Sequence, residues 1–102
     1  MKNAMRLKSR DIEAIKFAAR ETFGESATVR LFGSRVDDTL RGGDIDLHFT
    51  VDDGQQDYRH AGNFKWKLFQ FIDEQKVDLV FHVRGRELRL IDRVAIEEGI
   101  VL

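Results

Sequence analysis

Three aspartates and a Gly-Ser pair are the residues whose types and spacing could do chemistry in this chain. Asp44 and Asp46 stand in Asp44-Ile-Asp-Leu-His-Phe-Thr-Val51, where polar and apolar residues alternate over the whole stretch. Such alternation predicts a strand, with Asp44, Asp46, His48 and Thr50 on one face and Ile45, Leu47, Phe49 and Val51 on the other. On a strand, positions i and i+2 have Cα atoms roughly 6.5 Å apart, and a paired strand lies about 4.8 Å across. Asp78, in the second alternating run Val77-Asp-Leu-Val-Phe-His-Val83, supplies a third carboxylate. Three such charges at one point repel one another and raise at least one pKa unless a dication neutralises them. Mg²⁺ suits the task, because it prefers oxygen ligands and sits between one or two carboxylates and substrate phosphates. A nucleoside triphosphate would bring those phosphates. Gly33-Ser34 would meet them with backbone N–H groups and a hydroxyl, the glycine permitting close approach.

The elements needed to position these groups are legible in outline. After Ser9, a candidate helix cap, Ile12, Ile15, Ala19 and Phe23 recur at helical spacing until Gly24. Thr28-Val-Arg-Leu-Phe32 reads as a strand running directly into Gly33-Ser34. Residues 35–43 are polar and end in Gly42-Gly43, predicting a loop or a short helix followed by a turn. Beyond the Asp44–Val51 strand, Asp52-Asp-Gly-Gln-Gln56 is a turn, and Tyr58 to Gln75 carries a helical stripe through Ala61, Phe64, Leu68, Phe71 and Ile72. The Val77–Val83 strand follows, then a helix with Leu88, Ile91, Val94 and Ala95, closed by Gly99. Ile100-Val-Leu102 either adds an edge strand or tucks into the core. Helices interleaved with few strands make an α/β or α+β layer arrangement.

Composition bounds what such a chain can be. Its 102 residues carry 17 Lys+Arg against 18 Asp+Glu, a formal charge of -1, with no cysteine and no proline. A chain of this size buries roughly two thirds of its unfolded surface, enough for one core, so residues 1–102 are read as one domain. Without cysteine there is no disulfide framework, thiolate zinc site or thiol nucleophile. The first ten residues are charged but lack the apolar run of a signal peptide, and no stretch reaches membrane-spanning length. A cytoplasmic protein is expected, with no membrane partner. Balanced charge disfavours nucleic acid as the acceptor without excluding it, since the second half is locally basic through Lys65, Lys67, Lys76, Arg84, Arg86, Arg89 and Arg93. Those cations also read as ordinary helix solvation, interleaved with Asp73, Glu74, Glu87 and Asp92.

Two histidines share the predicted face of the aspartates. His48 and His82 suggest a transition-metal site, but a strand histidine more often hydrogen-bonds a neighbour. His60 is expected to be an exposed residue at a helix start. The Phe-rich stretch from Phe64 to Ile72 reads as core, with some surplus of aromatic surface left for docking.

Taken together, Gly33-Ser34, nine intervening residues, and Asp44-Ile-Asp46-Leu resemble the signature of the DNA polymerase beta nucleotidyltransferase superfamily. Asp78, in Lys-Val-Asp-Leu-Val-Phe81, matches the third carboxylate of that superfamily. Over nearly the whole chain the resemblance is to its minimal nucleotidyltransferases. It implies the nucleotidyltransferase fold, a small mixed β-sheet flanked by about four helices. It also implies catalytic and metal-binding roles for Asp44, Asp46 and Asp78, with two Mg²⁺ ions as cofactor and ATP as substrate. Gly33 and Ser34 would hold the triphosphate, joined by Arg35 unless that residue is a solvated loop arginine. Minimal members are often encoded beside a helical HEPN toxin, typically an RNase, which they neutralise as antitoxins, in some cases by transferring AMP onto a toxin tyrosine. A homo- or hetero-oligomer is therefore expected. Two alternatives share these residues: a non-catalytic antitoxin acting by occlusion, and a small-molecule nucleotidyltransferase of the aminoglycoside-modifying kind.

Overall fold

The computed structural model describes residues 7–33 and 44–102. It is an α+β domain with the order α1 (Ser9–Phe23), β1 (Thr28–Phe32), β2 (Ile45–Val51), α2 (Tyr58–Leu68), β3 (Val77–Val83), α3 (Leu90–Glu98) and β4 (Ile100–Val101). The described residues thus form three helices rather than about four. The polar connector that could have held another, residues 34–43, lies outside them.

The four strands form one mixed sheet in the order β3-β2-β1-β4. β1 runs antiparallel to both β2 and β4, while β2 and β3 are parallel. A parallel pair needs a crossover connection, and α2 supplies it. The apolar tail becomes the edge strand β4, with the Leu102 N–H donating to the Val29 carbonyl at 3.0 Å.

Period-two patterning in β2 does what it predicts. Ile45, Leu47, Phe49 and Val51 are fully buried, and they meet Leu31 of β1, Ile15 and Ala18 of α1, and Phe64 and Leu68 of α2 in one core. Phe49, Phe64 and Phe23 interlock there, with the Phe49 and Phe64 rings edge-on at 5.1 Å between centroids. The boundaries of α1 differ by one residue from expectation, since Lys8 rather than Ser9 is its N-cap and no side chain closes it.

Helix α2 stops at Leu68 although its apolar stripe continues to Ile72. The chain tightens there, with Gln70 and Phe71 donating to the carbonyls of Lys67 and Leu68 three residues back. Phe69 and Ile72 still pack on the core, and Phe71 turns back edge-on against Phe17 of α1. Apolar spacing therefore outlasts the helix, because a turn can pack Phe69 and Ile72 on the same core while Phe71 stays largely exposed. No helix among the described residues is long and apolar enough to cross a membrane.

Candidate functional site

The sheet's second face carries the polar members of the alternating runs. Register pairs Asp46 of β2 with Asp78 of β3 as direct neighbours, so both carboxylates leave the same face side by side. Burial raises the Asp46 pKa above its ordinary value. The charges of Asp78 and Asp44 and a hydrogen bond shared with the Asp78 carboxyl push the same way, with Lys76 partly opposing them. Asp44, just before β2, is engaged by Lys76: its Oδ2 lies 3.5 Å from Lys76 Nζ, in a solvent-exposed ion pair.

Gly33 closes on the same place from β1. It follows Phe32, whose register partner is Asp46, and has φ +79, a conformation that disfavours any side chain. A Cβ built on it would collide with the Asp46 carboxylate. The glycine lets backbone and carboxylate approach as closely as they do. Ser34 and Arg35, the other expected triphosphate contacts, lie outside the described residues.

Among the described residues, no group of three or more His, Asp or Glu side chains is assembled as a cation site. The structure brings together Asp46 and Asp78 and leaves Asp44 with Lys76. Two adjacent carboxylates whose mutual repulsion raises one pKa form a hard, oxygen-rich donor set. That chemistry fits Mg²⁺, which often uses one or two protein carboxylates and completes its shell with water and phosphate.

The face changes character two residues along β2. His48 is fully buried beneath α3, and its Nε2 donates to Oδ1 of the equally buried Asp92 at 2.8 Å. Burial lowers the His48 pKa, against the hydrogen bond and charge of Asp92. The His48 Nδ1 has no hydrogen-bond partner among the described residues. Burial alone would raise the Asp92 pKa, but hydrogen bonds from Arg89 and His48 outweigh it and hold the carboxyl well below the usual range. Arg89 Nε and Nη2 reach the two Asp92 oxygens at 3.0 Å each, and the Arg89 N–H donates to Oδ2 at 2.8 Å.

His82 donates through Nε2 to the Arg86 carbonyl at 3.0 Å, and its ring stacks 6.5 Å from that of His48. Both strand histidines are thus occupied by neighbouring groups. His60 at the start of α2 is partly buried, stacked on Phe23 and bonded to its cap Asp57. Asp92 is the acid that patterning misplaced, having read as part of a solvated helix face. Its signal was the Arg89-x-x-Asp92 spacing, in which a carboxylate at the third helical position accepts from the backbone N–H and side chain of the N-cap residue.

No protein-family model matches the chain, and no curated protein matches it significantly.

Proposed function

We propose that this domain is an Mg²⁺-dependent nucleotidyltransferase that moves AMP from ATP to a hydroxyl of a partner protein, acting in the cytoplasm as the antitoxin of a HEPN-type RNase. One observation carries the reading: Asp46 and Asp78 stand in register on one sheet face, with a positive-φ glycine against Asp46 at the end of β1. In this reading Asp46 and Asp78 hold the metal, Asp44 joins them on release from Lys76, and Asp78 accepts the proton of the attacking hydroxyl. Gly33, with Ser34 and Arg35, holds the triphosphate. Bound Mg²⁺ would supply charge neutralisation at the phosphates, including the departing pyrophosphate, and a lowered pKa for the hydroxyl. The protein's own contribution is positioning.

Incubation with Mg-ATP and a HEPN-type partner is expected to add one AMP-sized mass to that partner, and Asp46→Asn to abolish the addition. A verified complex that gains no mass defeats the reaction. The Asp44–Lys76 ion pair favours a second reading, neutralisation by occlusion with idle carboxylates. Under that reading, Asp44→Asn and Asp46→Asn retain both complex formation and neutralisation in cells.

A further inference from the structure

β3 is one edge of the sheet, and its outer side has no strand partner among the described residues. Which backbone groups face outward follows from the ladder. The Lys76 carbonyl accepts from the Ile45 N–H at 3.1 Å, and the Arg84 N–H donates to the Val51 carbonyl at 2.7 Å, so even-numbered residues face β2. Backbone groups alternate along a strand, which turns those of Val77, Leu79 and Phe81 outward. The Phe81 carbonyl is taken by the Arg89 guanidinium. Leu79 N–H and C=O and Phe81 N–H remain for an incoming chain.

The same edge borders a cleft of about 700 Å³ between β3 and α2, lined by Tyr58, Ala61, Lys65, Asp78, Leu79 and Phe81. Leu79 and Phe81 belong to the core face but are only partly buried, because nothing among the described residues covers them beyond the edge. Tyr58 is 96% exposed at the cleft's rim. Exposed edges are usually blunted by charge, proline or a bulge. β3 itself has one charged residue, Asp78, which belongs to the candidate site, and the Arg89 guanidinium covers the edge only at the Phe81 carbonyl.

We infer that the β3 edge is the acceptor subsite, binding an extended segment of the partner as an added strand, with a hydroxyl-bearing residue beside Asp78 and apolar residues on either side of it. The inference rests on the nucleotidyltransferase reading. Its geometry comes from strand periodicity: the residue placed next to Asp78 shares the face of Asp78, about 4.8 Å away along the hydrogen-bonding direction. The residues before and after it turn to the other face, over Val77 and Leu79 and against α2. An extended backbone is the occupant because only it satisfies the outward Leu79 and Phe81 groups together, as in recognition by strand addition.

The test uses capped heptapeptides with a central tyrosine or serine flanked by isoleucines, and a control with both isoleucines replaced by aspartate. Amide hydrogen exchange of the full chain is followed without nucleotide. Millimolar isoleucine-flanked peptide is expected to slow exchange at Leu79 and Phe81 roughly tenfold, and the control to leave both unchanged. Leu79→Pro removes an outward-facing N–H together with the Leu79 side chain on the cleft floor, and Ala61→Glu charges the opposite wall. Each is expected to cancel protection at Phe81, and the second serves if the first does not fold. Protection without AMP transfer in Mg-ATP keeps the edge assignment and removes the reaction. Full AMP transfer to the partner by both variants, or no protection with any peptide, overturns the assignment and leaves the reaction standing.

Discussion

Asp46 holds its place at a cost, since it is partly buried with a second carboxyl beside it and a third nearby. Its raised pKa has a definite sign for stability. The folded state takes up a proton more readily than the unfolded chain, so the contribution of Asp46 is present below its ordinary value of 3.8 and lost as pH rises through the folded value. At neutral pH, Asp46→Asn is therefore expected to stabilise the metal-free protein by about 0.5 to 1 kcal/mol. Thermal melts should then show Mg²⁺ raising the Tm of the unaltered chain and leaving the variant unmoved. Gly33→Ala should act oppositely. Its positive φ and the collision with Asp46 predict a loss of roughly 1–2 kcal/mol in urea unfolding, together with a weakened Mg²⁺ response.

Helix α3 is fastened to the sheet by the buried bond between Asp92 and His48 beside the buried Ala95, while Leu90, Ile91 and Ile96 remain exposed. Removing one partner strands the other, so Asp92→Ala is expected to cost about 3 kcal/mol in denaturant melts. The His48→Leu, Asp92→Leu double variant should cost less than that single change. Asp92 titrates below its ordinary value of 3.8, so its contribution is full above that pH and drains away as acid carries the solution through the folded value. Acid unfolding of Asp92→Asn should lack that component. Sequence periodicity located α3 but not its fastening. A carboxylate among arginines looks like surface chemistry until the strand opposite is known to present a histidine. For the same reason the end of α2 was hidden, since Phe71 and Ile72 keep helical spacing while packing from a turn.

Across the whole molecule, the legible part was the alternation in β2 and β3, because period two both makes a strand and sorts its faces. It placed Asp46 and Asp78 on equivalent faces, but not the register that makes them neighbours, which depends on how α2 crosses over. Nor does spacing reveal that Lys76 engages Asp44. The crossover is anchored by Phe64, fully buried against Phe49 and Phe23. Phe64→Ala is expected to destabilise the domain by about 3–5 kcal/mol in urea titrations.

Parallel pairing of β2 with β3 has a consequence in time. No tight hairpin can join two strands that run the same way, so the acidic couple arises only once the intervening helix has docked. Sensitivity to added Mg²⁺ during refolding should lag behind helix formation, making the acquisition of that sensitivity a chronometer for the last non-local step.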